Sequence, residues 1–122
     1  MSLPKFRYIG ICSTEANGGH EFVGVFVIRE DNSIERLPPR LDLQSHSPCG
    51  FSWGYGGSGP AQLALAMLAH HFGSDDVRAV RLHQPFKRCA IASLASDACW
   101  YLDSDDIDEV LRKIATRQEE PT

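Results

Sequence analysis

No apolar run in the 122-residue chain approaches the roughly 20 residues that a membrane span needs. The start, Met1-Ser2-Leu3-Pro4-Lys5, lacks the continuous apolar core of a secretory leader. No membrane association is therefore expected, and the expected compartment is the cytoplasm. Basic residues are scarce as well. Twelve Lys and Arg face sixteen Asp and Glu, a formal charge of −4, which argues against counterion-driven binding to duplex nucleic acid or anionic lipid. Cysteine is limited to Cys12, Cys49, Cys89 and Cys99, none within four positions of another. The paired spacing of a zinc knuckle is missing, and buried reduced thiols are expected instead.

What is present is the balance of one ordinary globular domain, 43% apolar and 23% charged. A chain of this length buries roughly two-thirds of its unfolded surface and needs no disulfide or metal to hold a core. One domain over residues 1–122 is expected, with residues 1–4 and 118–122 frayed.

The first third reads as strands. Phe6 to Cys12 is apolar and β-branched, and Glu21 to Arg29 is apolar in both alternating sets, Phe22/Phe26/Ile28 and Val23/Val25/Val27. The second strand is accordingly expected to be covered on both faces. Asn17-Gly18-Gly19 and Asp31-Asn32 mark turns, and Ser33 to Leu37 makes a third strand of a meander. Pro38-Pro39 ends the pairing because neither residue donates an N–H, and Arg40 to Gly50 reads as a loop.

Gly50 to Gly59 then carries five glycines and three aromatics, and runs into Pro60 to Phe72, an apolar helix with alanines filling the spaces between two stripes of large residues. With almost no polar face, it is the expected central helix, with Ser58 or Gly59 as its cap and Gly73 as its stop. Asp75 to Leu82 fits helix or strand, and Pro85 to Leu94 has helical spacing. Trp100 to Leu102 looks extended. Asp103 or Ser104 caps a last helix whose Ile107, Val110, Leu111 and Ile114 form one stripe. The expected fold is α+β: a small antiparallel sheet of three to four strands packed with a central apolar helix and one or two further helices.

The glycine-rich loop supports two readings. Backbone N–H groups at a helix start, free of side-chain crowding, suit a phosphate or carboxylate. The glycines equally supply positive φ and close backbone packing around Trp53 and Tyr55. There is no P-loop Gly-Lys-Ser/Thr, and no dinucleotide glycine turn following a strand. Ser58 stands between glycines like a hydrolase nucleophile, but Pro60 replaces the last glycine of that elbow, the preceding segment does not read as a long parallel strand and no Asp…His order that would make a triad follows, so helix capping explains it better. His46 and Cys49 lie three apart, while His70 and His71 point about 100° apart on a helix, so no metal site is expected. His46 is expected to bond the loop before Phe51. Arg78, Arg81, His83, Lys87 and Arg88 form a run without acids in an acidic chain; placed beside the glycine loop, it would complete a site for an anion or acidic partner.

The string from His46 to Ala66, with Trp53-Gly-Tyr-Gly-Gly-Ser-Gly-Pro60 at its centre, resembles the hallmark of an uncharacterised domain family of bacteria, archaea, phages and plasmids. His83-Gln-Pro-Phe-Lys87 and Trp100-x-Leu102 before a last helix are similar to it as well. The resemblance implies no settled activity or cofactor; it implies an accessory protein, of phage or mobile-element origin, that acts on a host or viral protein as an inhibitor or modulator. The expected function is non-enzymatic protein binding, with no catalytic residue, metal or cofactor. The expected surface comprises Trp53, Tyr55, Gly56, Gly57, Ser58 and Gly59 of the loop with Arg81, His83, Lys87 and Arg88. The competing expectation is a small-molecule anion binder or enzyme using the loop at the helix start; nucleic-acid binding ranks third.

Overall fold

β-Branched and aromatic side chains at ten of seventeen positions favour two paired antiparallel strands, β1 (Arg7–Thr14) and β2 (His20–Ile28). The structure, a computed structural model, describes residues 5–14, 20–47, 50–73, 75–95 and 98–119. The expected turn at Asn17-Gly18-Gly19, Cys49 and the residues at both extremes (1–4, 120–122) lie outside them. β3 (Ile34–Arg36) follows β2, and Trp100–Asp103 forms β4, giving an antiparallel sheet of order β3-β2-β1-β4. The meander is as expected, and β4 joins on the free side of β1.

Register assigns every side chain to a face. Tyr8 sits between Val27 and Leu102, and Gly10 between Val25 and Trp100, on the inner face. Ile9 sits between Phe26 and Tyr101, and Ile28 between Arg7 and Ile34, on the outer face. The register shifts by one residue between Ile11 and Cys12, leaving Val23 as the extra residue of a β-bulge. The bulge turns Phe22 inward, where its ring meets Trp53 edge-on at 4.5 Å, and leaves Val23 exposed. The expectation that β2 is covered on both faces is thereby corrected. Val25 and Val27 are buried, but Phe26 and Ile28 remain partly exposed on the outer face.

The helices form the second layer. α1 (Ser58–Phe72) is buried from Gly59 through Ala69, which makes it the central helix. α2 (Asp76–Phe86) begins at Asp75, whose carboxylate accepts the Arg78 N–H, and settles the ambiguous segment as helix. It passes through Pro85 and widens into one π turn, Lys87–Ile91, closed by Ala92 N–H to the Lys87 carbonyl at 2.9 Å. One continuous helical stretch therefore replaces the separate element expected from Pro85. The wide turn follows the residue that cannot donate to the ladder.

α3 (Ser104–Glu119) starts with a reciprocal cap. Asp106 N–H donates to Asp103 Oδ1 at 2.8 Å and Asp103 N–H donates to Asp106 Oδ2 at 3.0 Å. Ile107, Leu111 and Ile114 are buried as the stripe predicts, in one cluster with Tyr8, Val25, Trp53, Leu63, Leu65, Met67, Phe86 and Trp100. Among the described residues no helix is long and apolar enough to cross a membrane. Cys12 and Cys89 are half-buried, whereas Cys99 is exposed, because it precedes β4 at the rim of the sheet.

Candidate functional site

The described residues between Leu37 and Gly57 have little regular structure, and one side chain of α1 fixes part of them. Gln62, wholly buried, is the single polar residue between Pro60 and Ala69. Its Oε1 accepts the N–H groups of His46 (2.7 Å) and Ser47 (3.2 Å). Its Nε2 donates to the carbonyls of Pro39 (2.6 Å) and Gln44 (3.1 Å). Four loop groups that could not pair with a strand are satisfied by one carboxamide.

The same loop delivers His46 to His83. The two Nε2 atoms lie 3.0 Å apart, and His83 Nδ1 lies 2.5 Å from the Val80 carbonyl. A carbonyl only accepts, so Nδ1 carries the His83 proton. Nε2 of the neutral ring is then an acceptor, and His46 Nε2–H donates to it. Burial holds the His83 pKa below the ordinary histidine range, with the charges of His46 and Lys87 acting in the same direction. His83 is therefore interior and leaves the expected surface. His46 bonds outside its own loop, to α1 and α2.

His70 and His71 diverge as helical geometry requires. His70 Nδ1 lies 2.8 Å from the Tyr8 hydroxyl, and His71 Nε2 lies 2.7 Å from Asp108 Oδ1. Burial lowers the His70 pKa and raises that of Tyr8. Among the described residues no group of three His, Cys, Asp or Glu could hold a metal ion.

In the glycine loop the residues divide between core and surface. Trp53 is wholly buried, its Nε1–H donating to the Ala98 carbonyl at 3.1 Å, so it belongs to the core and not to the expected surface. Gly54 takes φ +88° and donates its N–H to the Ile91 carbonyl at 3.1 Å. Gly54-x-Gly56-x-x-Gly59 does have the dinucleotide spacing, but residues 51–53 form no strand and the sheet is antiparallel, so the βαβ setting is missing. Gly57 precedes the helix with φ −99°, which any residue adopts; what excludes a side chain there is the Tyr55 ring, 2.4 Å from an ideal Cβ. Gly59 is buried, and a Cβ there would fall 1.9 Å from Ser52 Oγ. An ideal Cβ at Gly56 would meet nothing within 4 Å. Ser58, expected as the cap, is the exposed first residue of α1; the cap position falls on Gly57, and no side-chain cap bond forms.

The surface that remains is compact. Tyr55 is 50% exposed, with its hydroxyl 2.7 Å from Ser52 Oγ, which fixes the ring's direction. Lys87, delivered by the π turn, places Nζ 3.4 Å from the Gly56 carbonyl. The basic run thus does lie beside the glycine loop. Arg88 and Arg81 are exposed and have no carboxylate partner among the described residues, while Arg78 lies over the Phe72 ring at 4.3 Å. Val77, Arg81 and Gln84 fall at i, i+4 and i+7 on the outward side of α2. Tyr55, Gly56 and Lys87 are brought together, and Ser58 is exposed at the start of α1; Arg81 and Arg88, seven positions apart, are exposed on another side of the same helical stretch, while Trp53, Gly59 and His83 are buried.

Sequence reasoning missed Gln62 and the His46–His83 pair. A lone glutamine amid ten helical residues that are otherwise proline, alanine, leucine and methionine was the available signal for the first. No local signal joins positions 46 and 83. No curated protein and no solved structure matches the chain. A family model does match, over residues 17–113, and the chain belongs to this family of unknown function, DUF6166.

Proposed function

We propose that the chain is a small non-enzymatic accessory protein that binds an acidic site on another protein through the face formed by Tyr55, Lys87, Arg88 and Arg81. The observation that carries this reading is the contact of Lys87 Nζ with the Gly56 carbonyl, which joins the basic run to the aromatic loop. An oriented tyrosine beside unpaired guanidinium groups is the combination that supplies most hot-spot energy at protein interfaces. In a chain of net charge −4 these cations also give the face a sign of its own, which steers an acidic partner. His70, His83 and His71 are engaged by Tyr8, Val80 and Asp108. The resemblance to an uncharacterised domain family of bacteria, archaea, phages and plasmids supports a host or viral protein as the partner.

Photo-crosslinking tests the location. A benzophenone side chain at position 55 should give a protein adduct in cells, and the same group at exposed position 109 of α3 should not. Equal adducts at both positions, or none at 55, would remove the face from consideration.

A further inference from the structure

The loop before α1 and the second half of α2 bring their polar side chains to one point. His46 Nε2 and His83 Nε2 lie 3.0 Å apart, and the Gln84 carboxamide reaches within 3.4 Å of His83 Nε2. Three neutral groups with lone pairs to offer meet there: two ring nitrogens and an amide oxygen, since a half-turn of the carboxamide exchanges its nitrogen and oxygen. Position 46 is far from positions 83 and 84 in the chain, so spacing alone does not reveal the set. We infer that His46, His83 and Gln84 form a binding site for a single zinc-like divalent ion.

The His83 ring is already set for an ion. Its Nδ1–H is held by the Val80 carbonyl, the kind of outer bond that orients metal-binding histidines, and its Nε2 lone pair points at His46. Burial keeps this ring in the neutral form that ligates. His46 needs one proton moved. Its Nε2–H donates to His83, while its Nδ1 has no hydrogen-bond partner among the described residues. Passing the proton from Nε2 to Nδ1 leaves the ring neutral and frees a second lone pair beside the first. Two nitrogens held tetrahedrally by zinc at 2.0–2.1 Å are about 3.3–3.4 Å apart, so the rings part by only roughly 0.3 Å. His46 and Gln84 are half-buried and can give way, whereas His83 is buried and stays. The donors also select the ion. Imidazole suits zinc and copper, while magnesium and calcium take oxygen ligands. The charges that act on His83 are those of His46 and Lys87, with no carboxylate among them. The Lys87 charge weakens the site and favours hydroxide or another anion at the fourth position. An ion held here fastens the His46 loop to α2.

Calorimetric titration of the whole chain with zinc(II), and with magnesium(II) as control, reads the outcome. Zinc is expected to bind once per chain with a dissociation constant below about 100 μM, and magnesium not at all. His46→Ala should weaken zinc binding at least roughly tenfold. Its backbone N–H still donates to Gln62, so circular dichroism should stay unchanged. Long-range proton–nitrogen NMR identifies the ligating atoms: Nε2 of His46 and of His83 should shift with zinc, and the rings of His70 and His71 should not. Cobalt(II) in place of zinc should give tetrahedral d–d bands without a thiolate charge-transfer band. Absence of zinc binding up to about 1 mM overturns the inference. So does binding that His46→Ala leaves unchanged, or a thiolate band, which puts the ion on cysteine. The Tyr55 face is tested separately.

Discussion

The indole of Trp100 lies so close to the backbone of Gly10, its register partner, that an ideal Cβ at position 10 would fall 2.1 Å from Trp100 Nε1. The inner face of β1 is thus built as a seat for a large ring from β4, and that ring meets Trp53 edge-on at 5.7 Å. Gly10→Ala should destabilise the fold by about 1–3 kcal/mol, because the indole is buried and must move against a packed core. Urea unfolding followed by tryptophan fluorescence measures it. An unchanged midpoint would mean that Trp100 is seated elsewhere.

Gln62→Leu should cost about 2–4 kcal/mol, since two N–H groups and two carbonyls of the loop lose their partner at once. The loss should be local as well as global, with limited proteolysis cutting between residues 39 and 47. A variant as resistant as the parent would show that the loop is held by other contacts.

Within the glycine loop the two ends of the series differ sharply. Gly59→Ala drives a Cβ into Ser52 and should destabilise by about 1–3 kcal/mol, while Gly56→Ala, with open space around it, should stay within about 0.5 kcal/mol. Equal midpoints for the two variants would mean that the Ser52 contact does not constrain the start of α1.

Stability should fall as pH drops from 7 toward 5. His70 and His83 are held neutral by burial, with pKa values below the ordinary 6.5. The unfolded chain therefore takes up protons before the folded one does. Their contribution is fully present above about pH 6.5 and is lost as pH falls through the unfolded value toward the folded one. For His83 the added proton would face His46 Nε2–H, 3.0 Å away. Thermal melting across this range should show the slope, and His70→Gln with His83→Gln should flatten it. A stability that is level between pH 7 and 5.5 would contradict the neutral, buried state of both rings.

Much of the architecture is legible because it is local. The apolar stripe of Ile107, Leu111 and Ile114, the acidic cap at Asp103 and the meander at its turns each depend on residues a few positions apart. β2 misled in one respect: apolar residues in both alternating sets read as burial on both sides. A bulge at Val23 and an uncovered outer face are invisible to periodicity alone. Ser58 misled for a different reason. Capping residues are recognised by type, but the cap position falls on Gly57, against which the Tyr55 ring packs. The site was half legible. Composition marked the glycine loop and the basic run, but their proximity depends on where α2 widens after Pro85. The sinking of Trp53 and His83 into the interior depends on partners 45 and 37 residues away.

Side-by-side affinity capture tests the central claim, that the Tyr55–Arg88 face binds a protein. The parent chain and the variant Arg81→Glu with Arg88→Glu, both folded because these side chains are exposed, are exposed to lysate of cells that carry the gene. A protein should be recovered in stoichiometric amount by the parent, released by salt, and bound at least roughly tenfold more weakly by the variant. Recovery of a nucleotide or acid metabolite in stoichiometric amount with no protein, or a protein held equally by both chains, would contradict it.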